Sequence, residues 1–172
     1  IVSAGGSNNA ADPTQTISYQ RAGESIALFD TAVTLTNGRG EVDAWLSNGF
    51  SLNWNEVSGS RRIHYLALKG GNYLVGDLLT LTTTGTIAET GFGFSPKATL
   101  FLSHNHGVST VDTVQADDRL SVGAFSSTTD RGTQCMNDDD AVATSTVATA
   151  VEHDEVICRV TPGGAINGLT GI

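Results

Sequence analysis

The chain has 172 residues and 17.9 kDa, room for one ordinary domain or two small ones with a buried core. Nine Lys and Arg against 18 Asp and Glu leave a formal charge of −9 and a pI near 4.6. That excludes the electrostatic footprint of a protein that grips nucleic-acid backbones or anionic membranes. Charged residues make up only 16%, and Thr (22), Gly (20) and Ser (15) dominate while Lys numbers 2, a composition of strands and turns rather than helices.

Strand-like runs recur between turn signals. Residues 14–20 alternate behind Pro13. Residues 32–36 alternate and stop at Asn37-Gly38, a strong hairpin signal, and residues 41–46 lead to a second one, Asn48-Gly49. In residues 50–54 the period of two puts Phe50, Leu52 and Trp54 on one face. Residues 61–68 carry Ile63, Tyr65 and Ala67 on one face and Arg62, His64, Leu66 and Leu68 on the other, ending at Gly70-Gly71. A Thr-rich strand follows over 78–84, and the near-continuous apolar run 97–103 suits a sheet centre. Residues 120–126 and 155–161 complete the set, the last closed by Pro162-Gly163-Gly164. Residues 138–151 are Ala-rich, with β-branched Thr and Val, and fit a short helix or a strand equally. No apolar run approaches the roughly 18 residues of a membrane span, and no basic region precedes an apolar leader.

The strand spacing predicts an all-β, antiparallel β-sandwich, of the H-type-lectin or jelly-roll kind. Phe50, Leu52, Trp54, Ile63, Tyr65, Leu100 and Phe101 are the expected buried set. Residues 1–50 can be laid on residues 120–172, strand on strand, with Thr14-Gln15 beside Thr133-Gln134. On that overlay residues 1–77 are the closing part of one module and 78–172 the opening part of a second, or the two pack as one domain. The competing reading is that two halves of any sandwich look alike. Ile1 is not an initiator and the only methionine is Met136, which fits a chain processed or cut from a longer one. A chain that begins and ends inside its own repeat is expected to leave sheet edges open for neighbours.

Three segments carry a resemblance: GFGFSPKATLFLS at 91–103, NGFSLNW at 48–54 and RIHYLALKGG at 62–71. Together they resemble structural β-sandwich modules of tailed phages and prophages, distantly similar to H-type lectin domains. Here the closing segments precede the opening one, the reverse of the order within one such module. The resemblance implies a non-enzymatic structural or interaction module of a phage particle: a capsid decoration, fibre or tail-associated protein. It implies a place in the virion or outside the cell, with copies of itself and other virion proteins as partners, in trimeric or higher cyclic symmetry. The alternatives are a glycan-binding, lectin-like domain that recognises a host surface, or a subunit of an extracellular filament or surface layer. Neither nucleic acid nor membrane is expected as a partner.

Catalytic and cofactor signatures are missing. There is no Gly-x-Ser-x-Gly elbow, no phosphate-binding loop and no dinucleotide fingerprint, so neither catalytic residues nor a cofactor are expected. SHNHG at 103–107 places His104 and His106 two apart, on one side of a strand, where they and Asp139 are the side chains a cation would use. The bland alternative, a polar strand-end loop, is preferred, and no metal is assigned. Trp45 and Tyr73 are the aromatic side chains placed for contact with a glycan or partner. Cys135 and Cys158 are the only cysteines. They form a disulfide if their strands are antiparallel neighbours, and are two buried thiols otherwise.

Overall fold

Alternation of β-branched and small side chains resolves into twelve strands in a computed structural model that describes residues 2–7, 15–20, 23–29, 36–57, 59–60, 62–79, 85–104, 113–139 and 147–170. They are β1 (Val2–Ser7), β2 (Gln15–Gln20), β3 (Ile26–Phe29), β4 (Thr36–Leu46), β5 (Gly49–Val57) and β6 (Thr99–Ser103). The remainder are β7 (Val114–Ala116), β8 (Asp118–Phe125), β9 (Arg131–Asp138), β10 (Val147–Glu152), β11 (Ile157–Val160) and β12 (Ile166–Thr170). Among the described residues there is no helix, and the ladders are antiparallel, so the expected all-β sandwich-like architecture holds. The sheets run β1-β2-β7, β10-β9-β8-β6, β11-β12 and β3-β4-β5. Pairing of β2 with β7 joins strands from residues 1–77 and 78–172 in one sheet.

The core lies between the four-stranded sheet and β11. Ser121, Gly123, Thr133, Cys135, Asn137 and Ala150 line the inner face and are buried, and Val156, Cys158 and Val160 close over them. Small side chains let the layers approach closely. A Cβ at Gly123 would collide with the carbonyl oxygen of Val156, so only glycine fits there. Cys135 and Cys158 are disulfide-bonded, with Cα atoms 5.7 Å apart. The bridge forms, though not between neighbours in one sheet: it ties β9 to β11 across the two layers. Polar groups beside it satisfy one another. The Cys158 N–H donates to Ser121 Oγ (3.3 Å), Ser121 and Thr133 share a bond of 3.2 Å, and Thr133 donates to the Val122 carbonyl (3.2 Å).

Several expectations are corrected. Asn37-Gly38 is no turn: β4 runs through it, and Gly38 pairs with Leu28, whose side chain would lie 3.0 Å from a Cβ at Gly38. Asn48-Gly49 holds within a residue, the turn being Ser47-Asn48 with Leu46 opposite Gly49. Residues 62–68 form no strand: no described strand pairs with them, although Tyr65 meets Phe50 edge-on at 5.2 Å. Leu78 and Leu79 are likewise outside any strand, and residues 80–84 lie outside the described residues. The run 97–103 is an edge strand rather than a sheet centre. Residues 147–152 of the Ala-rich stretch are strand, and residues 140–146 lie outside the described residues.

The expected buried set is not the core. Phe50, Leu52, Ile63 and Phe101 are half-buried, while Trp54, Tyr65 (73%) and Leu100 (62%) are exposed. The alternation in β5 is real, but its aromatic face is covered only in part, Phe50 by Tyr65, while Trp54 stays exposed. The overlay of residues 1–50 on 120–172 draws on residues 33–35, 171 and 172, which lie outside the described residues.

The core makes two outcomes measurable by urea unfolding. Replacing both cysteines, Cys135→Ala with Cys158→Ala, should lower stability by about 3 kcal/mol, the contribution of a closed loop of this length. Gly123→Ala should cost at least about 2 kcal/mol, since backbone rather than a mobile side chain must give way.

Candidate functional site: an uncovered sheet face

Strand parity fixes which side chains share the other face of the four-stranded sheet. The ladder sets Leu102 beside Val122, Gln134 and Val151 in one row, and Leu100 beside Ala124 and Gly132 in the next. Leu120, Met136 and Thr149 form a third row, and Asp118, Asp138 and Val147 a fourth. Toward the β6 and β10 edges this face is open, with Leu102 61% and Val151 59% exposed and Val122 and Val147 exposed as well, while Leu120 and Met136 are half-buried and Asp118 is buried. A shallow groove of about 300 Å³ lies among Leu100, Val122, Ala124, Gln134 and Val151, with Glu152 and His153 at its rim.

One end of the face carries paired carboxylates. Asp118 and Asp138 sit opposite each other in the β8–β9 ladder. Asp118 is buried, and its Oδ1 has no hydrogen-bond partner. Burial, then repulsion from Asp138, raises its pKa from the ordinary 3.8 to about 6. The nearest cation in sequence does not relieve it. Arg119 points to the opposite face, bonding Asp117 at 2.6 Å and Asn137 Oδ1 at 3.2 Å. Asp117 turns the chain there with φ 68°, and its carbonyl accepts a bond from Ser18 Oγ at 3.1 Å.

A second exposed feature is aromatic. Trp45, 80% exposed, meets Phe50 edge-on at 6.3 Å, and Phe50 meets Tyr65. The opposite side of the β4–β5 hairpin is polar, with Ser51 bonded to Asp43 and Asn53 to Glu41.

The residues singled out in the sequence scatter. His104 is buried at the end of β6, and burial pushes its imidazole pKa below the usual value. His106 lies outside the described residues. Asp139 is half-buried and accepts a bond from Asn137 Nδ2 at 3.0 Å. Among the described residues no three His, Cys, Asp or Glu side chains are grouped to hold a metal ion. Trp45 and Tyr73 are both exposed, Trp45 in the aromatic trio and Tyr73 with its ring beside Gly71. Sequence reasoning missed the outer sheet face. The alternation of Leu120, Val122 and Ala124 was visible, but which neighbours complete a row depends on register.

Folded Asp118 holds its proton more tightly than the unfolded chain does. Stability is therefore gained as pH falls and lost as pH rises through the window from 3.8 to about 6. Thermal unfolding should show a loss on the order of 2–3 kcal/mol across that window. Asp118→Asn should remove that part of the pH dependence while leaving the rest of the profile in place.

No protein-family model, no curated protein and no solved structure matches the chain, so the functional reading falls to the chemistry of its own surface.

Proposed function

We propose that the chain is a non-enzymatic structural module of a phage particle, a capsid decoration, fibre or tail-associated protein that assembles through its sheet faces and edges. The observation that carries the assembly part is the apolar surface left open among the described residues: Leu100, Leu102 and Val151 on the outer side of the four-stranded sheet, Trp45 on the β4–β5 hairpin, and the run of exposed Tyr65, Leu66, Leu68, Leu74 and Val75. Apolar patches of this extent on a soluble chain mark contacts with other molecules.

The virion assignment is supported by the three resembling segments, and the disulfide suits a protein that matures outside a reducing cytoplasm. The shallow groove encloses too little of a small substrate to orient and desolvate it, which supports a structural rather than a catalytic role.

A second reading, glycan recognition, is favoured by the exposed Trp45 with Phe50 and Tyr65, an aromatic platform on one side of the hairpin.

Light scattering on the purified protein should give a mass that is a multiple of 17.9 kDa at micromolar concentration. A persistent monomer whose tryptophan fluorescence responds to saccharides, with the response lost in Trp45→Ala, would replace assembly with glycan binding.

A further inference from the structure

Asn-Gly occurs three times in the chain, at 37–38, 48–49 and 167–168. The pair carries a latent reaction. Glycine has no side chain to shield its amide nitrogen or to restrict the backbone, so that nitrogen can swing onto the side-chain amide of the preceding asparagine. The swing rotates the peptide plane between the two residues, and a sheet ladder holds that plane through its hydrogen bonds. Where each pair sits in the fold therefore decides how fast it reacts.

Two of the three are held. Asn37 and Gly38 lie within β4, the middle strand of its sheet, where Gly38 has Leu28 opposite on one side and Val57 on the other. Gly38 is also buried beneath the Leu28 side chain. Asn167 and Gly168 lie within β12, and Gly168 pairs with Cys158, which is fully buried and tied to Cys135. Releasing either pair means breaking ladder bonds inside a strand.

The third pair stands at a strand end. Asn48 is the second residue of the two-residue turn between β4 and β5, and both Asn48 and Gly49 are exposed. Gly49 is the first residue of β5, an outer strand, and among the described residues its ladder partner is Leu46 alone, across the turn. Nothing lies within 4 Å of where a Cβ on Gly49 would stand. Fraying of this one closing pair frees the peptide plane.

We propose that Asn48 is a self-modifying site that converts to aspartate and isoaspartate through a cyclic imide. The Gly49 nitrogen, giving its proton to hydroxide, bonds to Asn48 Cγ; the Cγ–Nδ2 bond breaks and ammonia leaves. Water then adds to one of the two ring carbonyls. Addition at Cγ breaks the new bond to nitrogen and gives aspartate. Addition at the main-chain carbonyl breaks the old peptide bond, and the chain then runs through Cβ and Cγ as isoaspartate. Water enters, ammonia leaves and nothing is oxidised or reduced. Either product adds a negative charge to a chain already at −9. Isoaspartate also lengthens the turn beside the opposed Trp45 and Phe50. The site goes beyond the assembly reading and does not rest on it.

The test is peptide mapping by mass spectrometry of the full chain aged at mildly alkaline pH, with aspartate and isoaspartate peptides separated. In the folded chain Asn48 should convert at least about tenfold faster than Asn37 or Asn167, because fraying a strand end costs less than opening a strand interior. Both products should form at position 48, and the rate should rise with pH, since the attacking nitrogen must lose its proton. In urea that unfolds the chain the three positions should react at comparable rates. Gly49→Ala, which the open space and a φ outside the left-handed region accept, should slow conversion of Asn48 with the circular dichroism unchanged. Conversion of Asn48 no faster than the other two in the folded chain overturns the site. A difference that persists in urea overturns the role of the fold, and aspartate without isoaspartate overturns the cyclic route.

Discussion

Close approach of β11 to the inner face of β8 and β9 is the constraint on which the described core depends. Gly123 admits the Val156 carbonyl, and Ser121 and Thr133 are small enough for Cys158 to reach Cys135. Among the described residues the apolar cluster at the bridge is Cys135, Ala150, Cys158 and Val160, with Ala148 packed against it. Side chains this small bury little area, so the hydrophobic contribution per residue is modest. A covalent tie between layers offsets that by restricting the unfolded chain, as in small scaffolds that lack a large core. The hydrogen-bonded chain from Cys158 N–H through Ser121 and Thr133 leaves little polar penalty in the layer.

Placing small residues in the core leaves the large apolar ones elsewhere. Leu100, Leu102 and Val151 stand on the far side of the four-stranded sheet, and Trp45 and Trp54 on the β4–β5 hairpin. A sheet with an apolar face is stable when a second layer covers it. Among the described residues these side chains lack that layer, and burying them would lower the free energy by the same physics that builds a core.

Electrostatics adds direction to that burial. Apolar burial is indifferent to orientation, whereas the Asp118–Asp138 pair at one end of the outer face distinguishes that end from the other. Asp118 is desolvated there and faces Asp138, so its carboxyl holds a proton more readily than an exposed one.

Much of the architecture was legible from local chemistry. Period-two alternation identified the strands at 14–20, 50–54, 120–126 and 155–161, because facing in or out is decided residue by residue. The turn at Ser47-Asn48 was legible to within one position for the same local reason. What alternation could not supply was the partner. Asn37-Gly38 reads as a turn until Leu28 packs over Gly38, and residues 61–68 read as a strand until no neighbouring strand takes them. Leu100 and Trp54 read as core because hydrophobicity says that a side chain avoids water, not which surface will shelter it. The two cysteines left bridge and thiols equally open, and only the stacking of β11 on β9 brought them to 5.7 Å. Composition and periodicity determined an all-β chain and one of its two expected hairpin turns. Tertiary structure alone decided which face is core and which awaits a partner, because burial belongs to pairs of surfaces far apart in sequence.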